Sequence, residues 1–359
     1  MIAQNLWLWG NIAALAFFGS LAVSGFMSLA GLGDASDGRS AHRGVIPTSG
    51  GVGIIAGMGL SLCALNFVFP GVELPRGFAP VMALLFAIGM LGLVDDALTL
   101  GPKVKFGLMI IICGAAVWLI GPPITLPFLG EPISLPPAIG FIGAMLWIFV
   151  VMNAVNFMDG ANGMMGLSLA IANFALFGIG LVSGSAAVLL LSGLSLMVIL
   201  GFLPYNVRRT ARVFAGDVGS LSLSFLFAVT VLFLIADTPD GLFHLVGPVL
   251  ILPILTDVLL TLVRRVRNRE NILKSHNSHL YQRLIQHGIG HLTVSWFYAL
   301  AALLCANIVV IGTSRGWFET LNITLILIGA LVTAYIMISR ALTDKALANA
   351  GDNKPGEFL

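Results

Sequence analysis

The chain has 359 residues, of which 58% are hydrophobic and 9% charged, whereas an ordinary soluble domain carries about 25% charged residues. That composition excludes a water-soluble fold. With a formal net charge of +2, the placement of charge along the chain says more than its sum.

Apolar runs of roughly 17 to 25 residues, each able to cross a ~30 Å hydrocarbon core as a helix, recur along almost the whole sequence. Apolar stretches bounded by polar or Gly/Pro clusters predict helices near 5–32, 50–69, 79–95, 104–121, 136–155, 164–183, 186–204, 218–236, 244–264, 292–313 and 320–340. No Lys or Arg precedes Arg39, so the first run lacks the basic start of a signal peptide and is expected to persist as a helix. Cys63, Cys113 and Cys305 each sit inside an apolar run and read as small buried hydrophobes.

Eleven spans place the termini on opposite sides. Alternate loops divide the Lys and Arg residues 16 against 2, the minority being Arg76 and Arg315. The positive-inside rule then puts the N-terminus outside and the C-terminus in the cytoplasm. The expected fold class is therefore all-α and polytopic, with one membrane domain over 1–343 and a frayed polar tail over 344–359.

Five polar clusters, at 34–49, 95–105, 153–163, 205–220 and 264–287, all fall on the cytoplasmic side of this layout. Asp95 and Asp96 close the third span, where adjacent carboxylates repel unless a cation or a basic residue sits between them. A divalent metal such as Mg²⁺ would serve, with the remote Asp217 as a further ligand, although a solvated acidic helix end explains the pair equally well. Asn153, Asn156 and Asp159 recur every three residues and so share one face if the helix continues, which suits recognition of a base or sugar edge. Asp217 lies at a loop-to-helix junction, where it could ligate a metal or only cap the helix.

His276, His279 and Arg283 lie in the most basic stretch. Zinc is disfavoured there, and contact with a phosphate or diphosphate fits better; a basic loop on anionic headgroups is the plainer reading. Asp257 falls inside the ninth span with Arg264 two turns on, and a structural ion pair is expected. The glycines at 51, 53, 57 and 59 suggest close helix packing.

Taken in order, Arg39-Ser40-Ala41-His42, Pro47-Thr48-Ser49-Gly50-Gly51, Asp95-Asp96 with Pro102 and Lys105, Asn153/Asn156/Asp159-Gly160, Gly216-Asp217-Val218-Gly219-Ser220 and His276 through His279-Leu280-Tyr281-Gln282-Arg283 form one pattern. It resembles the polyprenyl-phosphate N-acetylhexosamine-1-phosphate transferases, a family that includes the phospho-MurNAc-pentapeptide translocase and the initiators of O-antigen and teichoic-acid assembly. The resemblance covers about residues 37 to 287. It implies Asp95, Asp96 and Asp217 as the essential acids. It also implies Asn153, Asn156, Asp159, Asn206, Lys105, His276, His279 and Arg283 as substrate contacts, and Mg²⁺, with Mn²⁺ as the alternative ion, on Asp217 and Asn156. The family usually has Asp where this chain has Asn162, and Arg where it has Thr48.

The implied reaction moves an N-acetylhexosamine 1-phosphate, GlcNAc-1-phosphate first among them, from its UDP donor to undecaprenyl phosphate and releases UMP. That would be a first step of cell-envelope polysaccharide assembly at the cytoplasmic face of the bacterial inner membrane. No nucleic-acid partner is expected, and a homodimer is the assembly kept open. A phosphate monoester has a second pKa near ~6, so direct attack by the lipid phosphate is favoured over a covalent enzyme intermediate. The alternatives are the peptidoglycan translocase reaction and, in another class, secondary transport. Transport, which Asp257 inside the ninth span would suit, needs polar groups at mid-depth and usually repeated halves, whereas here the polar groups gather at one face and no repeat is apparent.

Overall fold

The computed structural model describes residues 6–31, 46–67, 74–75, 77–128, 131–238, 243–271, 276–315 and 321–352. Arg39, Ser40, His42, Arg43, Arg76, Lys274 and Lys354, which enter the sequence reading, lie outside the described residues.

Helices dominate. The order is α1 (Leu6–Ala30), α2 (Gly50–Phe67), α3 (Phe78–Leu98), α4 (Pro102–Ile120), a hairpin of β1 (Thr125–Phe128) and β2 (Glu131–Ser134), α5 (Pro137–Met158), α6 (Met164–Ser183), α7 (Ala186–Asn206) and α8 (Gly216–Asp237). After a 3-10 turn come α9 (Val246–Leu250), α10 (Leu252–Arg267), α11 (Leu280–Gln286), α12 (His291–Arg315) and α13 (Leu321–Asp352). Among the described residues ten helices are long and apolar enough to cross a membrane, or up to eleven if the bent pair at 243–267 is one span. The protein is thus an all-helical, multi-pass membrane protein.

The ninth expected span is broken, with its halves at 71°. Pro253 opens α10 and has no N–H to return to residue 249, which is where a proline interrupts a helical ladder. The hairpin pairs Thr125 with Ser134 and Phe128 with Glu131. It was not expected, because Pro127 and Pro132 weaken any strand signal. Of the frayed tail expected over 344–359, the first part is helical, since α13 runs on to Asp352, and 353–359 lie outside the described residues.

α8 is the axis of the fold. From Val218 to Leu234 every residue is buried, as expected of a helix that is apolar all round. It packs against α2, α3, α5 and α7, while side chains such as Trp118, Leu304 and Ile326 remain exposed on the outer helices, where they suit lipid.

The glycine series of α2 meets its neighbours as expected at three positions. A Cβ on Gly51 would lie 2.1 Å from the Gly219 nitrogen, one on Gly53 2.1 Å from Ser24 Oγ, and one on Gly57 2.5 Å from the Ala16 carbonyl, whereas one on Gly59 meets only Phe86 at 3.7 Å. Substituting Ala at Gly57 should therefore lower the melting temperature in detergent by the cost of overpacking, about 1–3 kcal/mol. Gly59→Ala, about half a turn on along the same helix, should leave it unchanged or raised.

Candidate active site

The N-terminus of α8 gathers the acids. Ala215 offers no side chain to cap this helix, and its first N–H groups need acceptors from elsewhere. Asp96, on the last turn of α3, accepts from the N–H of Asp217 at 3.2 Å and of Val218 at 3.4 Å. Asp159, following α5, accepts from the N–H of Gly216 at 2.9 Å. Gly216 has φ +61°, and a Cβ there would stand 2.2 Å from the Thr48 carbonyl, so only glycine makes this turn. Burial, with Asp217 and Asp96 nearby, holds the Asp159 carboxyl well above the usual carboxylate range.

Asp217 is not the cap. One of its oxygens takes the Lys105 ammonium and the other accepts from the Asn156 amide at 2.7 Å. That amide also donates to Ser220 Oγ at 2.8 Å. Lys105, on the first turn of α4, bonds Asp95 as well, at 2.7 Å. Asp95 is steadied by the Leu100 N–H at 2.8 Å. Three helices thus bring Asp95, Asp217 and Lys105 to one point, with Asn156 and Asp159 beside it. Asn153 turns away to the Phe149 carbonyl of its own helix, 2.8 Å off.

The spot between Asp95 and Asp217 already holds a cationic group, so its chemistry fits a metal ion. Among the described residues no group of three or more His, Cys, Asp or Glu could hold one alone. Mg²⁺ commonly uses one or two carboxylates, with phosphates and water completing its shell, so Asp217, with the Asn156 amide turned to present its oxygen instead of the NH2 it now directs at Asp217, would be a sufficient protein share.

Two buried asparagines fix the adjoining loop. Asn206 accepts from the Gly163 N–H at 2.8 Å and donates to the Val213 carbonyl at 3.0 Å. Asn162 donates to the carbonyls of Arg208 at 2.7 Å and Arg209 at 3.0 Å. A carboxylate could not donate to them, which gives Asn162 a structural reason of its own.

The histidine segment stands next to this group. His279 is buried, stacked on Phe157 with centroids 5.7 Å apart, and His276 lies 4.8 Å from it. Burial first, then His279 and Arg265, push the His276 imidazole down to about 4. Arg283 points elsewhere: it donates to Ser339 and to Thr343 Oγ1 of α13. The expected Asp257–Arg264 pair does not form. Arg264 donates to the Ser278 carbonyl, and Asp257 accepts from the N–H groups of Leu280 and Tyr281 at 2.7 and 3.1 Å. Helical spacing put the two residues on one face but could not reveal that α11 would dock between them.

Comparison with known proteins bears on the same stretch of chain. The family model described as Glycosyl transferase family 4 matches residues 78–235, which hold Asp95, Asp96, Lys105, Asn153, Asn156, Asp159, Asn206 and Asp217. Over that stretch the chain resembles glycosyl transferase family 4, and the relatives it matches support the same family. The chain is 28% identical over 308 residues to a Bacillus subtilis (strain 168) protein named as a probable undecaprenyl-phosphate N-acetylglucosaminyl 1-phosphate transferase, covering 82% of this chain and 81% of the relative. It is 27% identical over 290 residues to the undecaprenyl-phosphate alpha-N-acetylglucosaminyl 1-phosphate transferase of Escherichia coli (strain K12), covering 77% and 76%. The decaprenyl-phosphate N-acetylglucosaminephosphotransferase of Mycobacterium tuberculosis (strain ATCC 25618 / H37Rv) is 28% identical over 333 residues, covering 82% and 78%.

Sequence reasoning missed Tyr281, whose hydroxyl donates to the Phe157 carbonyl at 3.0 Å, and Ser220, which meets Asn156. Both lie inside motifs already in view, but contact across helices leaves no mark on spacing.

If Asn206 is a clamp, Asn206→Ala should strand two buried backbone groups at about 1–3 kcal/mol each. Tryptic cleavage after Arg208 and Arg209 should then accelerate; a rise in donor KM with unchanged cleavage would make Asn206 a substrate contact instead.

The depressed His276 value has a defined sign. Unfolded chain takes up the proton near 6.5, so the contribution of neutral His276 is complete above that pH and is lost as pH falls towards about 4. Melting temperature in detergent should fall over that window, and His276→Gln should flatten the fall.

Proposed function

We propose that this protein transfers N-acetylglucosamine 1-phosphate from UDP-N-acetylglucosamine to undecaprenyl phosphate, giving the undecaprenyl-diphospho-sugar and UMP. The observation that carries the reading is the meeting of Asp95, from α3, and Asp217, from α8, on the Lys105 ammonium beside Asn156 and Asp159. The printed names of the relatives support the sugar and the lipid acceptor.

Phosphoryl transfer asks a protein mainly to position two anions and offset charge. An oxygen of the lipid phosphate attacks the sugar-bearing phosphorus of the donor, the bond to the other phosphorus breaks, and UMP leaves. Asn156 and Asp159 would hold the nucleotide, and Lys105 would turn from the carboxylates to a phosphate oxygen. Mg²⁺, held by Asp217 and the Asn156 carbonyl, would supply charge neutralisation on the diphosphate. Asp96 and Asp159, bonded to backbone N–H groups, keep the first turn of α8 in place during the reaction. No base is required, because the lipid phosphate is already largely dianionic near neutral pH, given a second pKa of about 6.

The site lies where α3 and α5 end and α8 begins, which would set it at the depth of a lipid headgroup. The 16 to 2 division of basic residues supports a cytoplasmic setting and the bacterial inner membrane.

Purified protein in detergent, given UDP-N-acetylglucosamine, undecaprenyl phosphate and Mg²⁺, should release UMP and one equivalent of lipid product of the matching mass. Asp217→Asn should lower turnover by roughly 10²–10³-fold, the loss seen when one preorganised electrostatic group is removed, with the fold intact because Asp96 and Asp159 supply the caps. No UMP from wild type with both substrates present would sink the assignment.

A further inference from the structure

We infer that Asp257 is a positioning residue of the transfer site, acting through His279; the inference rests on the reaction proposed above. Asp257 is on α10, just past the 71° bend, with 1% of its surface exposed. A lone carboxylate so deep would be costly, yet this one is surrounded by donors. Besides the N–H groups of Leu280 and Tyr281, it accepts from the Tyr298 hydroxyl of α12 at 2.6 Å and from Thr261 Oγ1 at 3.1 Å. Thr261 in turn meets Tyr335 Oη of α13 at 3.0 Å. One carboxylate therefore joins α10, α11, α12 and, through Thr261, α13.

Its fifth neighbour is His279, whose Nδ1 stands 3.7 Å from Asp257 Oδ1. The ring's faces are taken by Phe157 and His276. Nδ1 is buried without a hydrogen-bond partner and is the ring nitrogen that faces the carboxylate, so a small approach would let it donate to Asp257 and fix the ring's orientation. Phe157 is two residues before Asp159, and Tyr281 Oη is bonded to the Phe157 carbonyl. The line therefore runs from Asp257 through His279 to His276 on one side, and through Tyr281 to the α5 terminus on the other. His279 has 2% of its surface exposed and His276 is more open, so His276 is the ring that meets the donor and His279 is the ring that aims it. The other charged groups near by are engaged: Arg264 with Ser278, and Arg265 with Glu270 at 2.8 Å.

A double-mutant cycle on the full-length protein in detergent tests this. Asp257→Asn should lower kcat/KM for UDP-N-acetylglucosamine about 10–100-fold, as for carboxylates that orient a histidine from behind, and leave KM for undecaprenyl phosphate unchanged. In a His279→Ala background the same substitution should cost less than about twofold. Tyr298→Phe, which keeps the carboxylate and its hold on α11, should give a smaller loss that also vanishes in that background. Equal losses with and without His279 would overturn the inference and leave Asp257 a fold element. Inactive wild type would instead defeat the proposed reaction. Amide exchange over 280–286, which needs no substrate, decides the anchor in either case: it should quicken in Asp257→Asn while that of α8 holds, and unchanged exchange there overturns the inference.

Discussion

A helix with no face left for water must find partners for its first N–H groups inside the protein. α8 is buried on all sides, and Ala215 before it has nothing to offer. The acceptors come from α3 and from the end of α5, as Asp96 and Asp159. Unmet donors at this depth would each cost of order 1–3 kcal/mol, so the requirement is strong. It draws the ends of α3 and α5 onto the start of α8, and with them Asp95, Asn156 and Lys105. The chemistry is thus assembled by the same bonds that let the central helix begin.

That arrangement carries an electrostatic tension. Asp95, Asp96, Asp159 and Asp217 stand together, and the ion pairs they make among the described residues go to Lys105 alone. Burial first, and then the charges of Asp217 and Asp96, raise the Asp159 carboxyl. A site so built favours added positive charge.

Much of this was legible in the chain. Helix existence followed from runs of apolar residues, and the three-residue spacing of Asn156 and Asp159 did place both at the α8 terminus. Spacing failed where a partner comes from another element. Asn153 shares the period but bonds its own helix; Arg283 shares the motif but holds α13; Asp257 was paired with Arg264 because α11 is too short to announce itself. Asn162 looked like a lost charge and proved to be a gained donor. Whether Asp217 caps or ligates could not be read from sequence, since both roles want the same residue at the same junction.

The segment matched by the family model stops at residue 235, before α10 to α13 begin. The acid cluster is inside it and the histidine segment outside, so the candidate site draws on both parts of the chain. They meet through the Tyr281 hydroxyl and the Phe157 carbonyl, and through rings stacked on Phe157. In modular terms, the second half is a cassette whose internal fastening is Asp257 with Tyr298 and Thr261. Grafting the histidines alone into another chain would therefore leave their fastening behind, and the graft that keeps it must carry α10 and α12 as well.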